Sequence, residues 1–248
     1  MQGFPCAGVS VFAFRIPAVM KVHRPADQRG RTTYGDRTRL CTFSSGDYHE
    51  ADWMGWGALR QLNEEFLPPG ATVPSQRVAN MELLTLVLDG VLLRDGLALG
   101  PGALAWTGAG HASDTPVETA GADGARVLRI ALQPERVNLP PAAAIRDADP
   151  GAPVDAWTLL AGGDAAADSL PLRQQAWLRH ARLSPGARLE LSLVPSHRYW
   201  LQLLQGAATV DGLALSAGDG VAWANESAAD SIVAGVDGAS LLLFTLPR

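Results

Sequence analysis

The sequence is poor in the residues that build disulfide frameworks and histidine metal motifs. Its 248 residues include two cysteines and five histidines, and no two histidines have the His-x-His or His-x3-His spacing. Two thiols do not make a disulfide framework, so we expect reduced cysteines and a cytoplasmic protein. Cys41 lies in a Leu-Cys-Thr-Phe run that predicts a buried strand, where cysteine packs as a small apolar residue. The alternative is a redox sensor that acts through an accessible Cys41 thiol.

Basic residues are also too few for a nucleic-acid partner held by its phosphates. Charged residues make up 18% of the chain, the net charge is −5 and the isoelectric point is about 5.5. The locally basic stretch 24–39 is interrupted by Asp27 and Asp36, and we interpret it as a solvated loop of mixed charge. No apolar run is long enough to span a bilayer. We therefore expect neither a nucleic-acid nor a membrane partner.

Residues 1–19 carry a single charge, Arg15, which follows the apolar stretch instead of preceding it. A signal peptide has the opposite order. We predict that residues 1–19 are either a poorly ordered extension or the result of an upstream start site, and that the folded chain starts near Met20.

An internal repeat is the strongest pattern present. Residues 85–106 and 201–223 share the segment Asp-Gly-Leu-Ala-Leu, at 95–99 and at 211–215, and each copy ends in tryptophan, Trp106 and Trp223. Asp-Gly between short apolar runs predicts a β-hairpin, because a type I′ turn needs positive φ at both central residues. Each copy therefore reads as a series of short strands joined by glycine turns.

Short strands at this spacing predict an all-β protein with two sandwich-like or barrel-like domains. The stretch 138–153 contains four prolines and predicts the boundary. We assign residues 20–140 to an N-terminal domain and residues 141–248 to a C-terminal domain.

Several segments together resemble the pirin-like bicupins, in the redox-sensitive and quercetinase-like branch of the cupin superfamily. They are Met-Gly-Trp-Gly-Ala-Leu-Arg at 54–60, Asn-Glu-Glu at 63–65, Met-Glu-Leu-Leu-Thr at 81–85, Arg-Tyr-Trp-Leu-Gln at 198–202 and Leu-Leu-Phe-Thr-Leu-Pro at 242–247. The resemblance covers roughly residues 21–248. It implies two tandem antiparallel, jelly-roll-like β-barrels with few short helices.

The resemblance also implies a metal site and shows that its ligands are replaced. In the family, three histidines and one glutamate hold Fe or another divalent ion in the first barrel, and some members have quercetin 2,3-dioxygenase activity. The matching positions here are Gln76, Val78, Ser113 and Thr115. A valine side chain has no electron pair to donate to a metal. We therefore predict no metal and no catalytic residue; the alternative is Fe or another divalent metal at a displaced site.

Four further residues are candidates for the pocket wall: Trp56, Glu82, His111 and Asp114. Glu82, His111 and Asp114 would be the ligands of a displaced site, although a lone histidine in a loop is more often solvated. For Trp106, recurrence of the residue as Trp223 favours packing over ligand binding. We expect a pocket that is polar and uncharged to mildly acidic.

Two functions follow as hypotheses. The first is a non-catalytic bicupin, active as a monomer, that binds an unknown small molecule or protein. The second is a metal-dependent dioxygenase of the quercetin 2,3-dioxygenase type with a displaced ligand set. The second rests on the resemblance alone, and a fold does not fix a function.

Overall fold

The computed structural model describes residues 20–149, 152, 154–164 and 168–248. The predicted extension 1–19, with Cys6, lies outside this range. Almost all regular structure is β-strand, and the helical turns are two short 3-10 segments, Ala26–Gln28 and Ala51–Trp53. The all-β prediction is confirmed.

Within these described residues, no helix has the length and apolarity needed to cross a bilayer.

The strands fall into two groups along the chain. The first group is β1 (Met20–Arg24), β2 (Gly30–Tyr34), β3 (Arg37–Cys41), β4 (Leu59–Leu67), β5 (Thr72–Val73), β6 (Arg77–Val78), β7 (Glu82–Arg94), β8 (Leu97–Leu99), β9 (Leu104–Gly108), β10 (Ser113–Asp114), β11 (Glu118–Leu132) and β12 (Ala142–Arg146). The second group is β13 (Thr158–Gly162), β14 (Leu170–Pro171), β15 (Trp177–Leu183), β16 (Arg188–Leu193), β17 (His197–Val210), β18 (Leu213–Ser216), β19 (Gly220–Ala224) and β20 (Ala228–Pro247).

These strands form two nine-stranded sheets and one small pair. The first sheet has the order β12-β9-β7-β11-β4-β3-β2, with β5 on β11 and β8 on β7. The second has the order β1-β19-β17-β20-β15-β13-β14, with β16 on β20 and β18 on β17. Strands β6 and β10 pair separately. All pairings are antiparallel except that of β13 with β14.

Two strands pair with the sheet that the other half of the chain forms, across the boundary that the sequence predicts at residues 140/141. Strand β1 pairs with β19 of the second sheet, with Val22 opposite Ala222. Strand β12 pairs with β9 of the first sheet, with Ala144 opposite Trp106. Each sheet therefore takes an edge strand from the other half of the chain, next to a repeat-equivalent neighbour. Sequence periodicity does not contain this information, because an edge strand has the same pattern in either sheet.

The Asp-Gly turns have the predicted geometry in both copies of the repeat. Asp95 and Gly96 have φ values of 48° and 84°, and Asp211 and Gly212 have 48° and 72°. Positive φ at both central positions is the requirement of a type I′ turn. The repeat is thus two equivalent hairpins, β7–β8 and β17–β18.

Three apolar clusters stabilise the molecule. One lies within the first sheet around Leu92 and Val127, and another lies within the second sheet around Leu203 and Trp223. The largest joins the two halves and contains Trp106, Trp200 and Phe244, and Phe43 packs edge-on against Trp200 at 4.8 Å. Trp106 and Trp223 are buried, in agreement with their interpretation as packing residues.

The interpretation of residues 24–39 as a solvated loop is wrong. The stretch contains the β2–β3 hairpin, and the Arg24 side chain is buried. Its guanidinium stacks 4.4 Å from the Trp53 ring and donates to Glu50 at 2.7 Å. Arg29 donates to Glu64 at 3.0 Å. The charges of Arg24 and Arg29 are tolerated because each of these guanidinium groups meets a carboxylate that is distant in sequence.

Candidate functional site: a cavity in the first barrel

The four residues that match the family's metal ligands lie together around β6 and β10. Ser113 is opposite Val78 in the antiparallel pair. The backbone N–H of Gln76 donates to Thr115 Oγ1 at 3.0 Å, and the backbone N–H of Thr115 donates to the Gln76 carbonyl at 2.9 Å. The hydroxyl of Thr115 is therefore already used to hold the two segments together.

Three of the four, Gln76, Val78 and Thr115, line a cavity of about 480 Å³ inside the first barrel. Ser113 is not part of its wall, and the Ser113 Oγ atom is buried with no hydrogen-bond partner in the described part of the chain. The cavity wall also includes charged and polar residues from the long strands: Arg37, Arg39, Gln61, Glu65, Thr85, Arg94, Thr107, Glu118 and Arg129. The apolar wall includes Tyr34, Val73, Met81, Leu83, Leu84, Pro116 and Ile130.

A network of arginine and glutamate side chains lines this cavity. Arg129 is its centre: it donates through Nη1 to Glu118, through Nε to Glu65 at 3.0 Å, and through Nη1 to Thr85 at 2.9 Å. Arg94 donates to the other oxygen of Glu118 at 2.8 Å, and Arg39 donates to the other oxygen of Glu65 at 2.6 Å. Each glutamate is thus bound by two guanidinium groups.

The pairing keeps both signs of charge ionised despite burial. Burial alone would raise the pKa of Glu65, but Arg129 and Arg39 outweigh it and hold the pKa below its usual range. Burial alone would lower the pKa of Arg129, but Glu118 and Glu65 outweigh it and raise that pKa. Glu65 and Arg129 therefore stay charged at neutral pH.

The charge of the cavity is positive, so the expectation of an uncharged to mildly acidic pocket is wrong. Four arginines and two glutamates line it, an excess of two positive charges. One donor, Arg129 Nη2, is buried without a hydrogen-bond acceptor among the described residues. The network could not be predicted from the sequence because its members lie on four strands, and residues that contact each other are up to 64 positions apart. A single arginine in a strand of alternating polar and apolar residues predicts a solvent-facing side chain.

Glu82 does not line this cavity. Its carboxylate is fully buried and accepts hydrogen bonds from Trp106 Nε1 at 2.9 Å and from Arg173 Nε at 2.9 Å. Arg173 belongs to the second half of the chain and also donates to the Pro140 carbonyl at 2.6 Å. Glu82 is therefore a contact between the two halves, and its expected place in the pocket wall is wrong.

The other three pocket candidates also lie outside the cavity wall. His111 is exposed, and its backbone N–H donates to the Leu139 carbonyl at 2.7 Å. Asp114 is exposed and pairs with Arg77 at 3.3 Å. Trp56 packs against the apolar cluster between the halves. Glu82, His111 and Asp114 do not converge, so they do not form the displaced ligand set.

The side chains of this cavity do not fit the family's metal. Val78 offers no lone pair, Thr115 is engaged with Gln76, and three guanidinium groups lie in the same space. A divalent cation here would be repelled by Arg39, Arg94 and Arg129. Across the described ranges, no group of three or more His, Cys, Asp or Glu side chains is placed to hold a metal ion.

Cys41 is fully buried in β3, and burial raises the pKa of its thiol. A thiol with a raised pKa is a poor nucleophile. The strand position agrees with the packing interpretation, and the redox-sensor alternative lacks the accessibility that it requires.

A second cavity, of about 340 Å³, lies between the two halves and is lined by Arg146, His180 and Arg182 among others. The His180 ring contacts Ser240 Oγ at 2.9 Å. Burial, followed by the charges of Arg182 and Arg146, lowers the pKa of His180 to about 4. His180 is therefore neutral at physiological pH.

Comparisons with known proteins support both halves of the fold. A family model described as the quercetinase C-terminal cupin domain matches residues 159–246. The chain is 28% identical over 233 residues to a quercetin 2,3-dioxygenase of Escherichia coli K12, which covers 90% of this chain and 97% of that protein. It is 29% identical over 218 residues to the pirin-like protein YhaK of the same strain, covering 79% and 87% of the two chains.

A solved structure has a similar fold. The crystal structure of the bacterial pirin YhhW from Escherichia coli, in complex with nickel(II), superposes with a TM-score of 0.83 at 27% identity. The match covers 92% of this chain and 100% of that one. The two-barrel bicupin prediction is confirmed by this likeness.

Proposed function

This chain belongs to the pirin-like cupin family, and from that premise we propose that its first barrel binds a small molecule without a metal and without catalysis. One observation carries the proposal. Val78 stands where the resemblance places a histidine, and the same cavity contains an arginine–glutamate network. Guanidinium groups supply fixed positive charge where the family uses a cation. The cavity remains a concave site of the size that small-molecule ligands use.

Metal content tests the proposal. The protein is expressed with Fe, Ni, Mn or Zn supplements, purified without chelators and analysed by inductively coupled plasma mass spectrometry. The Escherichia coli pirin that was crystallised with nickel(II) is prepared in parallel as the positive control. We expect far less than one metal ion per chain here and close to one in the control. Stoichiometric metal in this chain would contradict the proposal.

A dioxygenase with a displaced ligand set is the second candidate, favoured by the quercetin 2,3-dioxygenase that matches over nearly its full length. The separation of Glu82, His111 and Asp114 argues against it. Oxygen uptake with quercetin, in the presence of each metal, separates the two functions. Under the non-catalytic proposal, uptake equals that of the metal-only blank.

We also propose that the protein acts as a cytoplasmic monomer. The apolar cluster between the halves gives each barrel an internal partner, and the buried thiol of Cys41 suits a reducing compartment. Light scattering coupled to size exclusion tests the first point: a mass near 26 kDa is expected. A concentration-independent dimer would contradict it.

A further inference from the structure

We propose that the ligand of the first-barrel cavity is an organic carboxylate that carries an apolar group. This inference rests on the proposed function and adds the chemical class of the ligand. It follows from three properties of the cavity: unused guanidinium donors, an excess of positive charge, and an apolar wall beside them.

The unused donors are on Arg129 and Arg37. Glu65 and Glu118 are each bound by two arginines, so the internal carboxylates are saturated. Arg129 Nη2 is nevertheless buried without an acceptor, and Arg37 forms no hydrogen bond or ion pair within the described part of the chain. Arg37 can therefore donate to an oxygen of a bound anion, while Arg129 Nη2, which is not accessible from the cavity, contributes uncompensated positive charge beside it.

The excess charge selects an anion. Two of the four arginine charges are balanced by the glutamates and two are not. A cation would meet unscreened repulsion in a partly buried site, whereas an anion completes the pairing. The planar guanidinium fork is matched by a carboxylate, with two oxygens in one plane.

The apolar wall selects an organic acid over inorganic phosphate. Val78, Met81, Leu83 and Ile130 line the same cavity as the arginines. A volume of about 480 Å³ leaves space for a hydrocarbon body well beyond one carboxylate. Burial of that body against these side chains would add affinity that a fully hydrated ion does not gain.

The binding experiment uses 2-naphthoate as a fluorescent probe, added to the full-length protein whose metal content has been measured. Its neutral amide, 2-naphthamide, has the same ring system and no charge. We expect saturable binding of one naphthoate per chain and at least tenfold weaker binding of the amide. Inorganic phosphate at the same concentration is expected not to displace the probe.

Arg37→Gln is the informative variant, because Arg37 has no partner among the described residues and its replacement leaves the network intact. We expect it to weaken naphthoate binding by about three- to tenfold, the loss of one charge-assisted contact. Arg31→Gln is the control: Arg31 is an exposed arginine on β2, outside the cavity. It is expected to bind as the unchanged protein does. Arg129→Gln is less suitable, since it leaves Glu65 and Glu118 short of a partner.

The outcomes distinguish failure of the carboxylate assignment from failure of the proposed function. Absence of naphthoate binding in metal-free protein, equal binding of the amide, or an Arg37→Gln variant that binds like Arg31→Gln overturns the carboxylate assignment and leaves the proposed function standing. Displacement by equimolar phosphate also overturns it. One bound metal ion per chain overturns the proposed function, and the inference falls with it.

Discussion

Glu82 is a charged side chain whose structural role is larger than its sequence context suggests. It has no exposed surface, and its carboxylate accepts from Trp106 of its own half and from Arg173 of the other. The Arg173 guanidinium lies 5.5 Å from the centre of the Trp106 ring. One carboxylate thereby fixes a tryptophan and a cation from two barrels in a single arrangement.

Glu82→Gln is expected to lower the free energy of unfolding by about 2 to 4 kcal/mol. The amide keeps the volume and part of the hydrogen bonding but leaves Arg173 without its counter-charge, and breaking a buried pair from one side is costly. Urea unfolding measures the change. Asp114→Asn is the control, because it breaks the exposed pair with Arg77 and should cost less than about 1 kcal/mol. Equal losses in the two variants would contradict the role of Glu82.

His180 makes stability depend on pH. Its pKa is lowered to about 4 in the folded protein from an ordinary value of 6.5, so between these values the unfolded chain binds the extra proton. Stability from this group is complete above pH 6.5 and is lost as the pH falls towards 4, by at most about 3 kcal/mol. Unfolding free energies at pH 7.5 and 4.5 should differ less in His180→Gln than in the unchanged protein. An equal difference in His180→Gln and in the unchanged protein would contradict this role of His180.

Glycines of two kinds support the repeated hairpins, one kind in the Asp-Gly turns and the other within the long strands β7 and β17, and they differ in how tightly they are enclosed. Gly96 and Gly212 have positive φ with open space where a Cβ would lie. Gly90 and Gly206 also have positive φ, but there a Cβ would overlap the carbonyl oxygens of Gly124 and Gly238. In both copies the second kind marks the place where the long strand passes close to its neighbour.

Gly90→Ala is therefore expected to destabilise far more than Gly96→Ala. Gly96→Ala pays only for the backbone conformation, about 1 kcal/mol, whereas Gly90→Ala must also move the β11 backbone, at roughly 3 kcal/mol or more. Thermal and urea unfolding of the two variants give the comparison. The corresponding pair in the second copy, Gly206→Ala and Gly212→Ala, should show the same order. A reversed order in either copy would contradict the steric role given to Gly90 and Gly206.

Local chemistry explains which parts of this arrangement could be predicted. The Asp-Gly turns at 95–96 and 211–212 require one backbone geometry, so sequence alone predicts them. The clustering of Gln76 with Thr115 followed from a family spacing. The arginine–glutamate network did not, because Arg39, Arg94 and Arg129 acquire their partners only when distant strands align. Long-range pairing of this kind has no local signature in a single sequence.

The two halves of the chain hold one another through the strands β1 and β12 as well as through the shared apolar cluster. A chain that begins at Arg24 lacks most of β1, and we expect faster amide hydrogen exchange in residues 220–224 because their edge becomes open. Residues 104–108 should remain protected. Exchange measured by mass spectrometry distinguishes the two segments.

Replacement of residues 142–146 by a Gly-Ser linker is the reciprocal variant. It removes β12 and is expected to expose residues 104–108 while residues 220–224 stay protected. If either variant loosened both segments equally, the two edges would be coupled through the shared cluster instead of being held strand by strand.

The exchange of edge strands sets an order of events during synthesis. Strand β1 leaves the ribosome first, but its partner β19 follows roughly 200 residues later, a wait of about 10 to 40 s at ordinary elongation rates. Strand β9, the repeat-equivalent of β19, emerges well before that and has an open edge until β12 arrives. The open edge of β9 is thus present before β19 is, and we expect early pairing of β12 with β9 to leave β1 available for β19.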